Sequence, residues 1–551
     1  MLKFKKLIAF AVCFATLICC GCKHNSGGNT SSKTNATTES SVGNELNLLY
    51  SNKDTLNPYT CVTLQNRVLT QLMYEGLVIL KNNYETEYNI AQKVSIENKK
   101  VLITLKNITF SDGSTLTADD VVFSFNLAKK STLYGSSLKY AESATSTGKD
   151  TLTVSLTRND LYFSKLLTFP IIKSGSDTVT DSDKRLLPPI GSGRFVYDVD
   201  EKVLKANSAY HKGKQKISKI NLTDSPDEES ANQTLSIGAI DYYFTDLANN
   251  VIPKMNGTVA DLPQNRVVFL GVNPQNAMLN NAYFRQAISA SINRSDICNS
   301  AYFSKATPAT GPFPPSWSEV SNLQSINIKP DLTTVQMNVK EAGFGEKNQS
   351  GFYVSKNNKP ITFTLLVSSD NSSRLAAANE IKNNLENAGF KIKLVSTEFK
   401  NFKTELSAGR YDLYLGEISF HSNLDLGPLV KINSADAFLA NQTSDNSGSS
   451  SSASSTSSTA STASKKPIQS SSEASQSTSS EEVTESLSTE EIYNGFYSGA
   501  YTVKDLVSVF NAELPVIPIC FRQGLVIYSE KLGTGISPTV SDLFYNIENI
   551  K

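Results

Sequence analysis

Stretches of period-two alternation and stretches with a helical apolar stripe take turns along this chain, predicting a succession of short strands and amphipathic helices. Glu45–Ser51 reads as a strand, Asp54–Tyr59 as a turn, and Asn66–Tyr74 as a helix with Leu69, Leu72 and Met73 inward. Val101–Leu105 and Leu152–Leu156 alternate and carry β-branched residues, as strands do. Between them, Phe110–Phe125 holds a turn at Asp112-Gly113, where glycine accepts the positive φ that a tight turn often needs. Thr117 is a good N-cap, and Asp119 and Asp120 sit where the helix dipole favours carboxylates. Val121, Phe125 and Ala128 form the stripe of that helix. Arg266–Val272 predicts a strand, and Phe284–Arg294 a helix with Phe284, Ile288 and Ile292 on one face. Strands at Ile361–Val367, Lys391–Val395 and Asp412–Leu415 then alternate with helices at Arg374–Ala388 and Phe399–Ala408. The first of these helices turns Ala378, Ile381, Leu385 and Ala388 inward and stops at Gly389. Strand–helix–strand at this spacing implies parallel pairing with right-handed crossovers.

Two segments break the pattern, and so does the N-terminus. Lys3, Lys5 and Lys6 precede an apolar run, Leu7–Ile18, that is too short to span a bilayer as a stable helix. The run leads into Leu17-Ile18-Cys19-Cys20-Gly21-Cys22, which resembles a bacterial lipobox. Cys22 is the better acceptor because Gly21 precedes it, and Cys20 is the alternative. Residues 1–22 are therefore expected to be a lipoprotein signal peptide, and 23–44, rich in Ser, Thr, Asn and Gly, a flexible tether. Residues 442–490 form a Ser-rich insert expected to be disordered and passive, because so little apolar surface cannot offset chain entropy.

Composition narrows the function by exclusion. The 551 residues suggest about three or four domain-sized units. The 52 basic and 52 acidic residues cancel, so charge gives no reason to expect nucleic acid as a partner. Four of the seven cysteines lie at 13–22; Cys61, Cys298 and Cys520 are too few and odd for a disulfide framework and read as small buried hydrophobes. His24, His211 and His421 are scattered, and the chain has no Gly-x-Ser-x-Gly, no phosphate loop and no His-Glu-x-x-His. The expectation is a protein that is not an enzyme and needs no cofactor or metal.

A set of motifs in fixed order supplies the positive reading. Phe110-Ser-Asp-Gly-Ser-Thr-Leu-Thr-Ala-Asp-Asp-Val-Val-Phe-Ser-Phe125 is preceded by Tyr74-Glu75-Gly76-Leu77. It is followed by Pro189-Ile-Gly-Ser-Gly-Arg-Phe195, Asn207-Ser-Ala-Tyr210-His-Lys-Gly213 and Ser236-Ile-Gly238-Ala-Ile-Asp241. Phe284-Arg-Gln-Ala-Ile-Ser-Ala-Ser-Ile-Asn-Arg294, Thr310-Gly-Pro-Phe-Pro-Pro315 and Glu513-Leu-Pro-Val-Ile-Pro-Ile519 complete it. Together they resemble the family 5 extracellular solute-binding proteins, which deliver oligopeptides, dipeptides or nickel to ABC importers. In the third motif Arg194 replaces the family's usual Pro. The resemblance runs from about residue 45 to the C-terminus, interrupted by the Ser-rich insert.

The resemblance implies an α/β, periplasmic-binding-protein-like fold (class II, cluster C): a two-lobed clam of three domains with mixed sheets flanked by helices. Domain I would comprise 45–80, 189–268 and 521–551, domain II 81–188, and domain III 269–520. Strands near Arg266–Val272 and Pro515–Tyr528 would cross between the lobes and act as the hinge. The implied function is a lipid-anchored, monomeric receptor on the outer face of the cytoplasmic membrane. It would bind a short peptide and pass it to a permease served by an ATPase. Alternatives within the resemblance are a receptor for a nickel or other metal chelate, or a peptide sensor or adhesin on the same fold.

The ligand-facing stretch of peptide-binding members commonly reads Gly-Trp-x-x-Asp-Tyr-x-Asp-Pro, and its first Asp pairs with the peptide amine. This chain has Glu417 at the Trp position and Phe420 at that Asp, with Glu417 or Asp425 as substitute carboxylates. Candidate ligand residues are therefore Glu417, Phe420, His421, Asn423 and Asp425. Phe313 and Trp317 are candidates as pocket aromatics, with core packing as their alternative role. His421 would be the metal-chelate contact in the nickel reading. Asn57–Leu64 and Cys520–Arg522 would lie beside the cleft.

Overall fold

The computed structural model describes residues 44–550 apart from 226, 249–250, 324, 433–434, 436–437 and 440–486. The expected leader with Cys20 and Cys22, the tether up to residue 43 and most of the Ser-rich insert lie outside the described residues.

The chain begins with β1 (Glu45–Tyr50), α1 (Leu64–Met73), β2 (Val78–Leu80) and β3 (Thr86–Tyr88). Next come β4 (Ala91–Glu97), β5 (Lys100–Leu105), α2 (Ala118–Lys130), β6 (Ala141–Ser146) and β7 (Thr151–Leu156). Then follow β8 (Phe195–Asp198), β9 (Val203–Ala206), β10 (Lys219–Asp224), α3 (Glu228–Ser236) and β11 (Tyr242–Thr245). A long strand, β12 (Thr258–Val272), leads into α4 (Ala282–Ser291), α5 (Arg294–Ser300), β13 (Ala306–Pro308) and α6 (Leu332–Glu341). After these come β14 (Thr362–Ser368), α7 (Ser372–Ala388), β15 (Lys391–Thr397), α8 (Phe399–Ser407) and β16 (Leu413–Ser419). The last elements are α9 (Thr489–Ser498), α10 (Val503–Glu513) and β17 (Val516–Tyr528).

The large sheet runs β15-β14-β16-β12-β17-β11-β1-β10-β9-β8, with β13 on β17; β4-β5-β7-β6 form a separate antiparallel sheet. The expected parallel pairing is present, since β14 pairs in parallel with both β15 and β16. Thr117 caps α2 in a capping box with Asp120, whose second oxygen accepts the Ser174 N–H at 2.9 Å. Asp120 thus ties the helix to a distant loop as well as facing the dipole. The single helix expected over 284–294 is two helices. Ile292 is extended, and Asn293 N-caps α5 through the Asp296 N–H, a cap strong enough to restart the helix. Order resumes slightly before the expected Glu491, because Ser488 and Glu491 form a capping box for α9.

Two large hydrophobic cores result, one around α4–α10 with β14–β16, the other around α1, α2 and β4–β7. Both β12 and β17 serve the two cores. Val267–Leu270 and Val516–Ile517 belong to the first, whereas Leu262, Val526 and Tyr528 belong to the second. Their mutual register shifts between Pro263 and Val267 and again between Val268 and Phe269, at the passage from one core to the other. Bulges of this kind bend a strand pair locally.

Within the second core the separated motifs meet at one buried carboxylate. Glu75 accepts from Asn89 (3.2 Å), Ser192 (3.0 Å) and Tyr210 (3.3 Å), and lies 3.0 Å from His211 Nε2. Burial works to raise the Glu75 carboxyl, but the His211 bond and the charges of Lys212 and Arg194 hold it below its usual range. His211 is therefore not an isolated histidine. Arg194 is buried and pairs with Asp542 at 2.7 Å and Glu548 at 3.2 Å, tying the C-terminal segment to this core. Glycine is required nearby: a Cβ on Gly191 would lie 2.3 Å from the Met73 carbonyl oxygen, and one on Gly193 2.3 Å from the Met73 carbonyl carbon.

Candidate functional site

Two polar clusters lie where the cores meet. The first is centred on Glu417, which β16 places opposite Val268 of β12, beside the register shift. Arg374, from the first turn of α7, reaches its carboxylate at 3.1 Å. Arg266 of β12 and Arg522 of β17 each stand 3.5 Å away. Arg266 also contacts Asp246 at 3.3 Å, while Arg522 donates to the Leu247 carbonyl at 3.0 Å and lies 4.7 Å from the Tyr302 ring centre. Burial works to raise the Glu417 carboxyl, but the charges of Arg374, Arg522 and Arg266 hold it below its usual range. It is a charged side chain neutralised by its own protein.

The second cluster lies between the loop after β7 and the segment after β16. Arg158 donates to Asp425 at 2.9 Å and to the Tyr493 hydroxyl at 3.2 Å. Its guanidinium carbon lies 3.6 Å from the Tyr140 ring centre and 4.1 Å from that of Tyr497, where the ring quadrupoles attract it. Asp425 also accepts from the Tyr493 hydroxyl and, at 2.9 Å, from the Gly427 N–H, with Lys139 at 3.8 Å. Asn423 donates to Asp160 at 2.7 Å. Leu424, between these two contacts, is buried with φ of 57°, a left-handed conformation uncommon for leucine. Tyr162 packs edge-on against Trp317 at 5.3 Å, stacks with Phe496 at 5.8 Å, and donates to Glu319 at 2.7 Å. Phe163, Leu166 and Leu167 anchor the same loop in the second core.

The sequence candidates therefore separate into groups. Asn423 and Asp425 come together against Arg158 and Asp160, with Trp317 close by through Tyr162. Trp317 and Phe313, each 1% exposed and in edge contact at 4.8 Å, lie inside the first core. Phe420 is buried and donates its N–H to the Asn265 carbonyl at 2.6 Å. His421 is half-buried; burial and the Lys139 charge push its ring below the usual histidine range, partly offset by Asp425. Among the described residues no three His, Cys, Asp or Glu side chains gather to hold a metal ion, and no helix is long and apolar enough to cross a membrane. Arg522 joins the Glu417 cluster, whereas Cys61 is buried and its thiol is pushed up to about 12 by burial. Arg158, Asp160, Arg266, Arg374 and Tyr493 were not legible as site residues. Their partners lie up to 335 residues away, and nothing local marks them.

Comparison with known proteins gives this architecture its relatives. The family model for bacterial extracellular solute-binding proteins, family 5 (middle), matches residues 85–436, more than half of the chain. Heme-binding protein A of Haemophilus influenzae is 24% identical over 495 residues, covering 79% of this chain and 87% of that one. Oligopeptide-binding protein AppA of Bacillus subtilis is 24% identical over 326 residues, covering 56% and 60% of the two chains. The crystal structure of a nickel ABC transporter protein from Bacillus halodurans superimposes with a TM-score of 0.66 at 15% identity, over 91% of this chain and 98% of that one. The shared fold is the periplasmic-binding-protein-like α/β architecture. On the family match, the chain belongs to the bacterial extracellular solute-binding proteins of family 5.

Proposed function

We propose that this chain is the extracellular, lipid-anchored binding component of an ABC importer, which takes a short peptide between its two cores and hands it to a permease. The observation that carries this reading is the pair β12 and β17. They connect two cores, shift register at the passage, and carry or face the polar cluster centred on Glu417. Two bodies joined by a bent strand pair can close on a ligand, bury it and expel water. The work done is binding, and the liganded closed form is what is offered to the permease. The relatives' names span heme, oligopeptide and nickel. The peptide is favoured because aromatic and polar side chains, among them Arg158, Tyr162, Asn423, Asp425 and Tyr493, meet where the two cores approach. Phe313, Trp317, Glu417, Phe420, His421, Asn423 and Asp425 are the proposed contacts, the domain boundaries are those implied by the motif order, and Cys22 is the proposed lipid attachment.

Isothermal titration with pools of di- to pentapeptides, heme and nickel–histidine chelate tests the reading. Peptide binding is the expected result, and binding of only heme or nickel chelate overturns it. Chelate binding that is lost in His421→Ala would establish the nickel alternative instead.

A further inference from the structure

We infer that Arg158 is a built-in occupant of the Asp425 carboxylate, so that the junction takes solutes without a cationic end, such as an N-blocked or cyclic peptide, and closes in their absence. This rests on the peptide reading of the same site.

The argument begins with where each partner is rooted. Arg158 follows β7, whose apolar residues belong to the second core, while Tyr493, Tyr497 and the Asp425 segment belong to the first. The contact at 2.9 Å therefore bridges the two bodies. Arginine suits this role because its guanidinium can pack against aromatic rings while its N–H groups donate to oxygen acceptors. The rings of Tyr140 and Tyr497 attract the guanidinium, and Asp425 and the Tyr493 hydroxyl accept from it. The Asp425 side chain is 3% exposed. Oδ1 accepts from Tyr493 and Gly427, and Oδ2 from Arg158 with Lys139 nearby. A ligand ammonium would have to displace a cation already seated, in a place where two more protein donors are fixed.

The other carboxylate of the segment offers no better anchor. Glu417 is surrounded by three guanidinium groups, and a ligand ammonium brought beside it would be repelled by all three. Asp160, across from Asn423, already accepts from that side chain and from the Tyr162 N–H. The strain at Leu424 points the same way. A buried non-glycine residue stays left-handed only when its surroundings over-determine it. Here the two neighbours of Leu424 are both held from the opposite body, Asn423 by Asp160 and Asp425 by Arg158.

Two measurements on the purified full chain decide the matter. Spin labels at Ser143→Cys and Asn494→Cys, exposed positions on the two bodies, report their separation without ligand. A short distance is expected as the main population, lengthening in Arg158→Ala and in Asp425→Asn. A distance that neither substitution changes, or that is long in the parent protein, overturns the inference. Titration of one peptide in free-amine and N-acetylated forms is the second measurement. Tighter binding of the N-acetylated form is expected in the parent, and about a tenfold preference for the free amine in Arg158→Ala, which frees the carboxylate. Equal affinity, or a preference for the free amine, in the parent overturns the inference. If neither form binds, the peptide reading fails, and the label distance still decides whether Arg158 holds the bodies together.

Discussion

Asp160 shows how much a single buried side chain can set at the junction. Burial pushes its carboxyl up to about 6, despite the bonds from Asn423 and the Tyr162 N–H and the charge of Arg158, which favour ionisation; Asp425 adds to the rise. An aspartate in an unfolded chain titrates near about 3.9. Because the folded value is the higher one, the folded protein holds this proton more tightly. The Asp160 contribution to stability is therefore fully present below about pH 4 and is lost as pH rises through about 6. About two pKa units correspond to roughly 3 kcal/mol. Asp160→Asn keeps an acceptor for Asn423 and has no proton to lose. Melting curves from about pH 4 to 7 are expected to show the variant gaining on the parent as pH rises; parallel curves would refute the assignment. Glu75 and Glu417 have lowered values and act with the opposite sign at lower pH, so the difference between the two proteins is the informative quantity. At this scale the sequence was legible only in part. Glu75 and His211 could each be read as members of a motif, but their pairing across 136 residues could not.

At the scale of elements, period and caps carried most of the reading, and tertiary contact decided the rest. The α/β run from β14 to β16 follows from alternating patterns and from Gly389, which ends α7 in the left-handed conformation. The break between α4 and α5 escaped the periodicity, because the apolar stripe continues through Ile292 while Asn293 restarts the helix. The polar first half of β12 had no strand pattern, and it is a strand because β17 runs alongside it. The loop 189–195 is an element-level constraint of another kind. It lies so close to the end of α1 that a side chain at Gly193 would overlap the Met73 backbone. Gly193→Ala is expected to cost about 2 kcal/mol, read as a lower urea midpoint with unchanged slope. An unchanged midpoint would show that the loop can move away.

For the whole molecule, the decisive fact is that two cores share two strands. The Ser-rich insert leaves and re-enters the chain on one side of that division, since Phe438 and Leu487 both pack in the first core. Both of its flanks are thus held by the same core. Lengthening a loop whose ends are fixed costs only about 0.6 kcal/mol per doubling. Replacing 442–486 with a short Gly-Ser joint is expected to leave the melting temperature and ligand affinity unchanged. A loss of binding would give the insert a role in the site.

The sequence by itself determined most element types and, through its motifs in fixed order, the family. The elements are local, because they depend on period, caps and turn chemistry within a few residues, and each motif is a short run of neighbours. Only the tertiary structure decided which charges meet. Arg158 finds Asp425 across 267 residues, and Arg522 finds Glu417 across 105. Ion pairing depends on distance in space, and that distance is set by how β12 and β17 carry the two cores together.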